Sequence, residues 1–519
     1  MSWQPEIDEL RRREALAREL GGPERVARQH ASGRRTVRER IEALLDAGSF
    51  HETGAIAGAA RYGDDGALRD FTPANMVIGR GRIGGRRAVV QGDDFTVRGG
   101  AADAAIWQKM VYAERLARDE RVPLVRLVDG TGGGGSVRSL EEMGFTYVPF
   151  LPGFEEMVDN LATVPVVAAA LGPVAGLGAM RVISSHFSVI VRGSAQLFVA
   201  GPPVVAAAGM GEAPDKEQLG GARAQARAGA VDNEAADEDD ALDQLRRFLA
   251  FLPDNVWELP PLVAGSDPPD RREQSLVDLV PRDPRRPYRV RRLLEAVLDA
   301  GSTLELGARH GRSLVCALAR LDGRPVGVMA SDPYHYGGGL TADAAEKMVR
   351  FVELCDQFRL PIASFVDQPG FVIGTEAERA GTIRRGTRAL VASAQATVPR
   401  VAVLVRKVYG VAGAGHGHGL NVRYAWPSGD WGSLPIAGGI EAAYRRELEA
   451  ATDPVVLRAE IAERLNAVRS PFRTAERFGV EEIIDPRDTR PLLCDWAVRA
   501  HELVAHELGD GPKARGPRP

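Results

Sequence analysis

Along the first 47 residues, charged and apolar positions alternate on a helical period, and the pattern closes at Gly48, where a helix C-terminal glycine is expected. Beyond it the pattern changes. Short unbroken apolar runs, RAVVQG, PLVRLVDG and PVVAAALGP, alternate with helical stretches such as residues 104–119. Runs of this length that end in Gly or Asp read as buried strands, and strands alternating with helices predict an α/β fold with largely parallel pairing. Residues 252–288 break the pattern with eight prolines, a density that neither helix nor sheet tolerates, and predict a linker. The closing GDGPKARGPRP is polar, has nothing to bury and is expected to be disordered.

The pattern occurs twice. EALLDAGS at 42–49 is answered by EAVLDAGS at 295–302, and GGRRAVVQGDD at 84–94 by DGRPVGVMASD at 322–332. A constant offset of 238 residues carries Gly85 onto Gly323, Asp94 onto Asp332, Lys109 onto Lys347 and Asp129 onto Asp367. Further on, ATVPVVAAALGPVAGLGA answers ATVPRVAVLVRKVYGVAGA at an offset of 234, which places Gly176 on Gly410. Such spacing is the mark of a tandem duplication. The predicted division is an N-terminal helical segment 1–47, a first domain 48–251, the linker 252–288, a second domain 289–505 and the tail 506–519.

Composition narrows the function. With 44% hydrophobic and 26% charged residues and a net charge of −4 over 519 residues, the chain has the make-up of a soluble globular protein and no basic footprint for nucleic acid or a membrane surface. Its three scattered cysteines suit a reducing compartment, and the N-terminus lacks the apolar core of a signal peptide, so a cytoplasmic protein is expected. The longest apolar run, 164–180, is too short and too rich in Pro and Gly to span a bilayer.

Candidate chemistry lies in the repeated loops. GPVAGLGAM at 172–180 and VYGVAGAGHGHG at 408–419 each follow an apolar strand at equivalent positions. Small residues there let successive backbone N–H groups point at one spot, as an oxyanion hole requires. Glycines in such a place also serve close helix–strand packing, but two equivalent copies favour the oxyanion reading. GTGGGG at 130–135 lacks the Lys and hydroxyl of a phosphate loop, and GAGHGHG lacks the third glycine of a dinucleotide fingerprint. The acidic run DEDDALD at 237–243 reads as a solvated helix start. His416 and His418 have no third ligand nearby, so no metal is expected.

DFTVRGGA, QLGGA, FVDQPGFVIGTEAERAGTIRRG, ATVPRV, KVYGVA and YAWP closely resemble the carboxyltransferase β subunits of biotin-dependent acyl-CoA carboxylases, of the propionyl-CoA carboxylase type, from about residue 30 to about 495. The resemblance implies two crotonase-like (ClpP/crotonase) domains, the first for acyl-CoA and the second for carboxybiotin, with active sites between the first domain of one protomer and the second of another in a hexamer. It implies a partner that supplies biotin carboxylase and biotin carboxyl carrier functions. The implied reaction passes a carboxyl group from carboxybiotin to the α-carbon of a CoA thioester through its enolate, the freed biotin nitrogen taking the α-proton. Family positions carried onto this chain place the catalytic backbone donors at Leu177–Gly178 after Gly176 and at Val411–Ala412 after Gly410. CoA and biotin contacts fall on Gly99, Gly100, Lys109, Pro369, Gly370, Phe371 and Gly374. Departures are specific. Leu177 and Val411 replace the family's second glycine, GTGGGGS replaces its SGGARI, residues 225–232 replace its HTxxSGVAH, and Ala414 takes the pocket-floor position. A roomier acyl pocket follows, with His416 either beside the reacting centre or facing solvent. A biotin-independent acyl-CoA decarboxylase and a non-catalytic scaffold are the alternative readings.

Overall fold

Strands such as PLVRLVD carry apolar residues at successive positions because both of their faces are covered; in the computed structural model every residue of Leu124–Val128 and of Val166–Ala170 is buried. The structure describes residues 2–101, 104–130, 140–141, 143–209, 215–265, 267–417, 420–506 and 508. Most of the GTGGGG loop, His418 and nearly all of the expected tail lie outside them. The chain divides into two compact units, one ending at Glu258 and the next beginning at Leu259. The three N-terminal helices, Gln4–Arg18, Pro23–Ala31 and Val37–Leu44, belong to the first unit.

In the first unit a seven-stranded sheet runs His51–Thr53, Met76–Ile83, Arg86–Asp93, Leu124–Val128, Val166–Ala170, Phe187–Val191, Asn233–Ala235. In the second, the same order is Leu304–Leu306, Leu314–Leu321, Arg324–Ser331, Ile362–Gln368, Arg400–Tyr409, Leu420–Ala425, Glu482–Ile483. Both sheets begin with two antiparallel pairings and continue with four parallel ones. The central registers are the same. Met76 pairs with Asp93 as Leu314 pairs with Ser331, Val89 with Leu124 as Gly327 with Ile362, and Leu124 with Val166 as Ile362 with Arg400. These pairs obey the offsets of 238 and 234 read from the sequence. A short side strand completes each unit: Gln196–Phe198 beside Pro173–Ala175, and Asp430–Gly432 beside Lys407–Tyr409.

The duplication extends to backbone strain and capping. Arg98, Gly99 and Gly100 take φ of 53°, 65° and 67°, and their counterparts Tyr336, Gly337 and Gly338 take 53°, 61° and 89°. The Asp46 carboxylate accepts from the N–H groups of Gly84 and Gly85, as Asp299 does from Asp322 and Gly323. The helix expected over 104–119 runs Trp107–Glu120, and the acidic run opens the helix Glu238–Leu249 with Asp237 as its N-cap. Among its described residues the proline-dense segment 252–288 holds no α-helix or strand, although Leu276 and Tyr288 are buried in the second unit's core.

The central parallel strand of each unit leads to a buried aspartate. Asp129 is fully buried; Arg34 lies 2.9 Å and Arg40 2.7 Å from its carboxylate, and Arg40 also pairs with Glu238. Asp367 accepts from Arg406 at 2.8 Å and from the N–H of Lys407 at 3.0 Å. Removing one partner of a buried ion pair leaves an uncompensated charge, so Arg406→Met is expected to lower the stability of the second unit by about 3–5 kcal/mol. Pairing it with Asp367→Asn should restore much of that loss in urea denaturation; a single-variant loss below about 1 kcal/mol would show that the pair is solvated.

Candidate active site

Each buried aspartate fixes the strand end that the first glycine turn meets. A Cβ on Gly100 would come within 2.5 Å of the Asp129 carbonyl, and one on Gly338 would collide with the carbonyl of Asp367. Only glycine permits that approach together with a left-handed φ. The turn Arg98–Gly100 is thereby pressed onto the strand end. Arg34, bound to Asp129, also stacks over the Phe95 ring at 4.4 Å.

One strand further across each sheet stands the second glycine turn. Gly176 takes φ 58° and ψ −122°, donates its N–H to Phe198 at 3.3 Å and caps the helix Leu177–Ile183. Gly410 takes φ 60° at the start of the helix Gly410–Ala414, against the Ser433 carbonyl. Leu177 and Gly178 are the first two residues of one helix, and Val411 and Ala412 are the second and third of the other. N–H groups in a first helical turn have no intrahelical acceptor, so each loop offers a pair of backbone donors. The replacements at the family's second glycine are accommodated outward: Val411 is 63% exposed and Leu177 half-buried, while Gly178 and Ala412 are buried.

The FVDQPGFVIGT block forms a rigid ledge in the second unit. Gly370 has φ 118°, and its carbonyl accepts from Leu340 N–H at 3.0 Å, while Val372 N–H donates back to Leu340 at 3.1 Å. The Phe371 ring lies against Gly386, where any Cβ would collide with it. Gly374, at φ 112°, opens the helix Thr375–Arg379 after Pro369 and the turn.

Two of the expected site residues are buried. Lys109 is buried and donates to the Met76 carbonyl at 2.7 Å, with burial lowering its pKa to about 8; its repeat mate Lys347 donates to Gly307 and His310. The first ammonium ties its helix to the sheet and the second ties its helix to the loop between two strands of the sheet. His416 does not face solvent: it is 5% exposed, and neither ring nitrogen has a hydrogen-bond partner among the described residues. Burial, then the nearby Arg400 charge, lowers its pKa to about 4, so the ring is neutral near pH 7. Ala414 is exposed at the end of the short helix. Sequence reading missed Arg34, Arg40 and Arg406, the cations behind the two strand ends; the only signal was the pairing of Asp129 with Asp367 in the repeat. Among the described residues, His310, Asp343 and Glu346 bring ligand-type atoms within 4.8 Å of one another, but Arg385 stands 3.1 Å from Glu346 and 3.9 Å from Asp343 and already answers their charge.

The His416 environment has a pH consequence. With the folded value at about 4 and the ordinary value at 6.5, its contribution is fully present above pH 6.5 and is lost as the pH falls towards 4. That displacement corresponds to about 3 kcal/mol. The thermal midpoint should therefore fall more steeply between these limits in the wild type than in His416→Leu, and superimposable profiles would show that the ring titrates freely.

The chain matches the carboxyl transferase domain model over residues 28–503. It is 36% identical over 501 residues to the propionyl-CoA carboxylase carboxyltransferase subunit of Haloferax mediterranei, covering 95% of each chain. It is 34% identical to the methylmalonyl-CoA carboxyltransferase 12S subunit of Propionibacterium freudenreichii subsp. shermanii, covering 98% of this chain and 97% of that one. A crystal structure of transcarboxylase 12S, described as a hexamer with methylmalonyl-coenzyme A and methylmalonic acid bound, superposes with a TM-score of 0.85 at 32% identity, covering 98% and 96%. The two repeated units are thus crotonase-like domains, and the chain belongs to the carboxyl transferase family, as a divergent member of the acyl-CoA carboxylase β-subunit type.

Proposed function

We propose that this protein is the carboxyltransferase subunit of a biotin-dependent acyl-CoA carboxylase, transferring a carboxyl group to the α-carbon of an acyl-CoA through the thioester enolate. The observation that carries the reading is the repeated glycine turn: Gly176 and Gly410, at equivalent strand ends and with φ of 58° and 60°, each present a pair of first-turn backbone donors. Two developing oxyanions need two such pairs. Leu177 and Gly178 hold the thioester oxygen as it gains charge, and Val411 and Ala412 hold the ureido oxygen on the biotin side. Backbone N–H groups do this without any change of protonation, each contributing about 3 kcal/mol to the transition state.

Bound carboxybiotin supplies the carboxyl carbon and, once that carbon has left, a nitrogen base for the α-proton. The chain's own part is to bind, orient and polarise. Gly99 and Gly100 line the acyl-CoA side, while Pro369, Gly370, Phe371 and Gly374 form the ledge of the biotin side. The rigidity of that ledge, set by the Leu340 bonds and the Phe371–Gly386 contact, supports this assignment. Lys109 acts from behind, as a packing residue. A separate subunit carrying biotin is the partner, and a hexamer is the assembly, by analogy with the transcarboxylase relative.

Incubating the purified protein with a biotinylated carrier, its carboxylating enzyme and a panel of acyl-CoAs should yield carboxylated thioester. CO2 release from a malonyl-type thioester without biotin, and no carboxylation, would favour the decarboxylase reading instead. Gly176→Ala and Gly410→Ala force a Cβ into the left-handed region and displace the donors, so each should lower kcat by roughly 100-fold or more. Activity within about threefold of the wild type would remove that turn from the reaction.

A further inference from the structure

The second glycine turn is braced by a helical arm outside the sheet. Helices Ile436–Ala443, Arg445–Ala450 and Pro454–Ala467 pack on a small core of their own around Ile440, Leu448 and Ile461. Just beyond the last of them, Arg469 reaches back to the side strand Asp430–Gly432. Its Nε donates to one Asp430 oxygen at 2.5 Å and its Nη2 donates to the other. Asp430 is mostly buried, and, after burial itself, its carboxylate is what holds the Tyr409 phenol above its ordinary pKa. One residue on, Trp431 Nε1 donates to Thr474 at 2.9 Å. The side strand runs parallel to Lys407–Tyr409, register by register, and Tyr409 is the residue directly before Gly410.

The first unit has a counterpart at the same offset. Gln196 stands where Asp430 stands, beside Pro173–Ala175, and its amide donates to Glu217 on the helix Lys216–Gly220. The chemistry differs, a neutral amide on a carboxylate rather than a bidentate ion pair, yet in both units the strand next to the glycine turn is tied to a helix behind it. Duplicated geometry that survives a change of side chains points to the constraint itself.

We infer that Asp430 and Arg469 are positioning residues for the second oxyanion turn: the carboxylate, clamped by Arg469 on the strand paired with Lys407–Tyr409, fixes where Gly410 directs the N–H groups of Val411 and Ala412. The inference rests on the carboxyltransferase reading. A bidentate guanidinium–carboxylate pair fixes direction as well as distance, and a displacement of about 1 Å at a reacting centre costs on the order of 100-fold in rate.

The test uses the full chain with a biotinylated carrier and propionyl-CoA, with rates expressed per acyl-CoA site counted by calorimetry. Asp430→Ala and Arg469→Ala are expected to lower kcat about 10- to 100-fold with KM for propionyl-CoA changed less than about twofold, and Arg469→Lys to fall between Arg469→Ala and the wild type. A kcat within about twofold of wild type, or equal losses in rate and in countable sites, would overturn the inference by leaving only a folding role. A readout without turnover separates this from failure of the carboxyltransferase reading. Amide exchange over 410–414 should quicken at least about tenfold in Asp430→Ala whether or not the wild type turns over, and unchanged exchange there would overturn the positioning role.

Discussion

A buried carboxylate at the end of a central parallel strand, neutralised by arginine, is the interaction on which each unit depends. Asp129 with Arg34 and Arg40, and Asp367 with Arg406, hold the strand ends against which the left-handed turns at Gly100 and Gly338 close. Gly172 shows how tight the first of these is, since a Cβ there would strike both the Asp129 carboxylate and Arg34. An ion pair in such a place is a poor source of net stability, because desolvation consumes most of the Coulombic gain. Its effect is to make one arrangement of strand end and turn far better than its neighbours.

From that arrangement the chemistry follows with few ionisable side chains. Past the neighbouring strand, directly in the second unit and by way of Pro173–Ala175 in the first, comes a second glycine turn, and the residues after it begin a helix whose first N–H groups have no partner within the helix. Fixed donors of this kind stabilise charge that develops during reaction and need no reorganisation when it does. Leu177 and Val411 are compatible with this because the donors belong to the backbone, and bulk directed outward alters the surroundings of the turn more than its N–H groups.

The duplication was legible in the sequence to the level of β-register, because strand pairing across a buried sheet tolerates no slip and an unchanged offset therefore preserves it. The glycine turns at Gly176 and Gly410 were legible for the same reason: their left-handed φ values favour glycine, and their spacing repeats. The arginines behind Asp129 and Asp367 were not, since Arg40 arrives from an N-terminal helix and Arg34 from the loop before it, and only the folded chain brings position 34 beside position 129. Of the two places open to His416, beside the reacting centre or in solvent, burial removes the second, and a glycine-rich segment gives no apolar periodicity from which to decide between them. The resemblance assigns Lys109 to a ligand; what sequence alone does not give is the bond from its ammonium to the Met76 carbonyl.

In the proposed reaction the two glycine turns serve different ligands through backbone N–H groups. Residue-resolved amide exchange on the full chain tests it most directly, comparing the free protein with the protein saturated by propionyl-CoA and, separately, by a biotinylated carrier. Slowed exchange is expected at Leu177 and Gly178 with the thioester alone, and at Val411 and Ala412 with the carrier alone. Slowing of both turns by one ligand, or of neither turn by either, would contradict it.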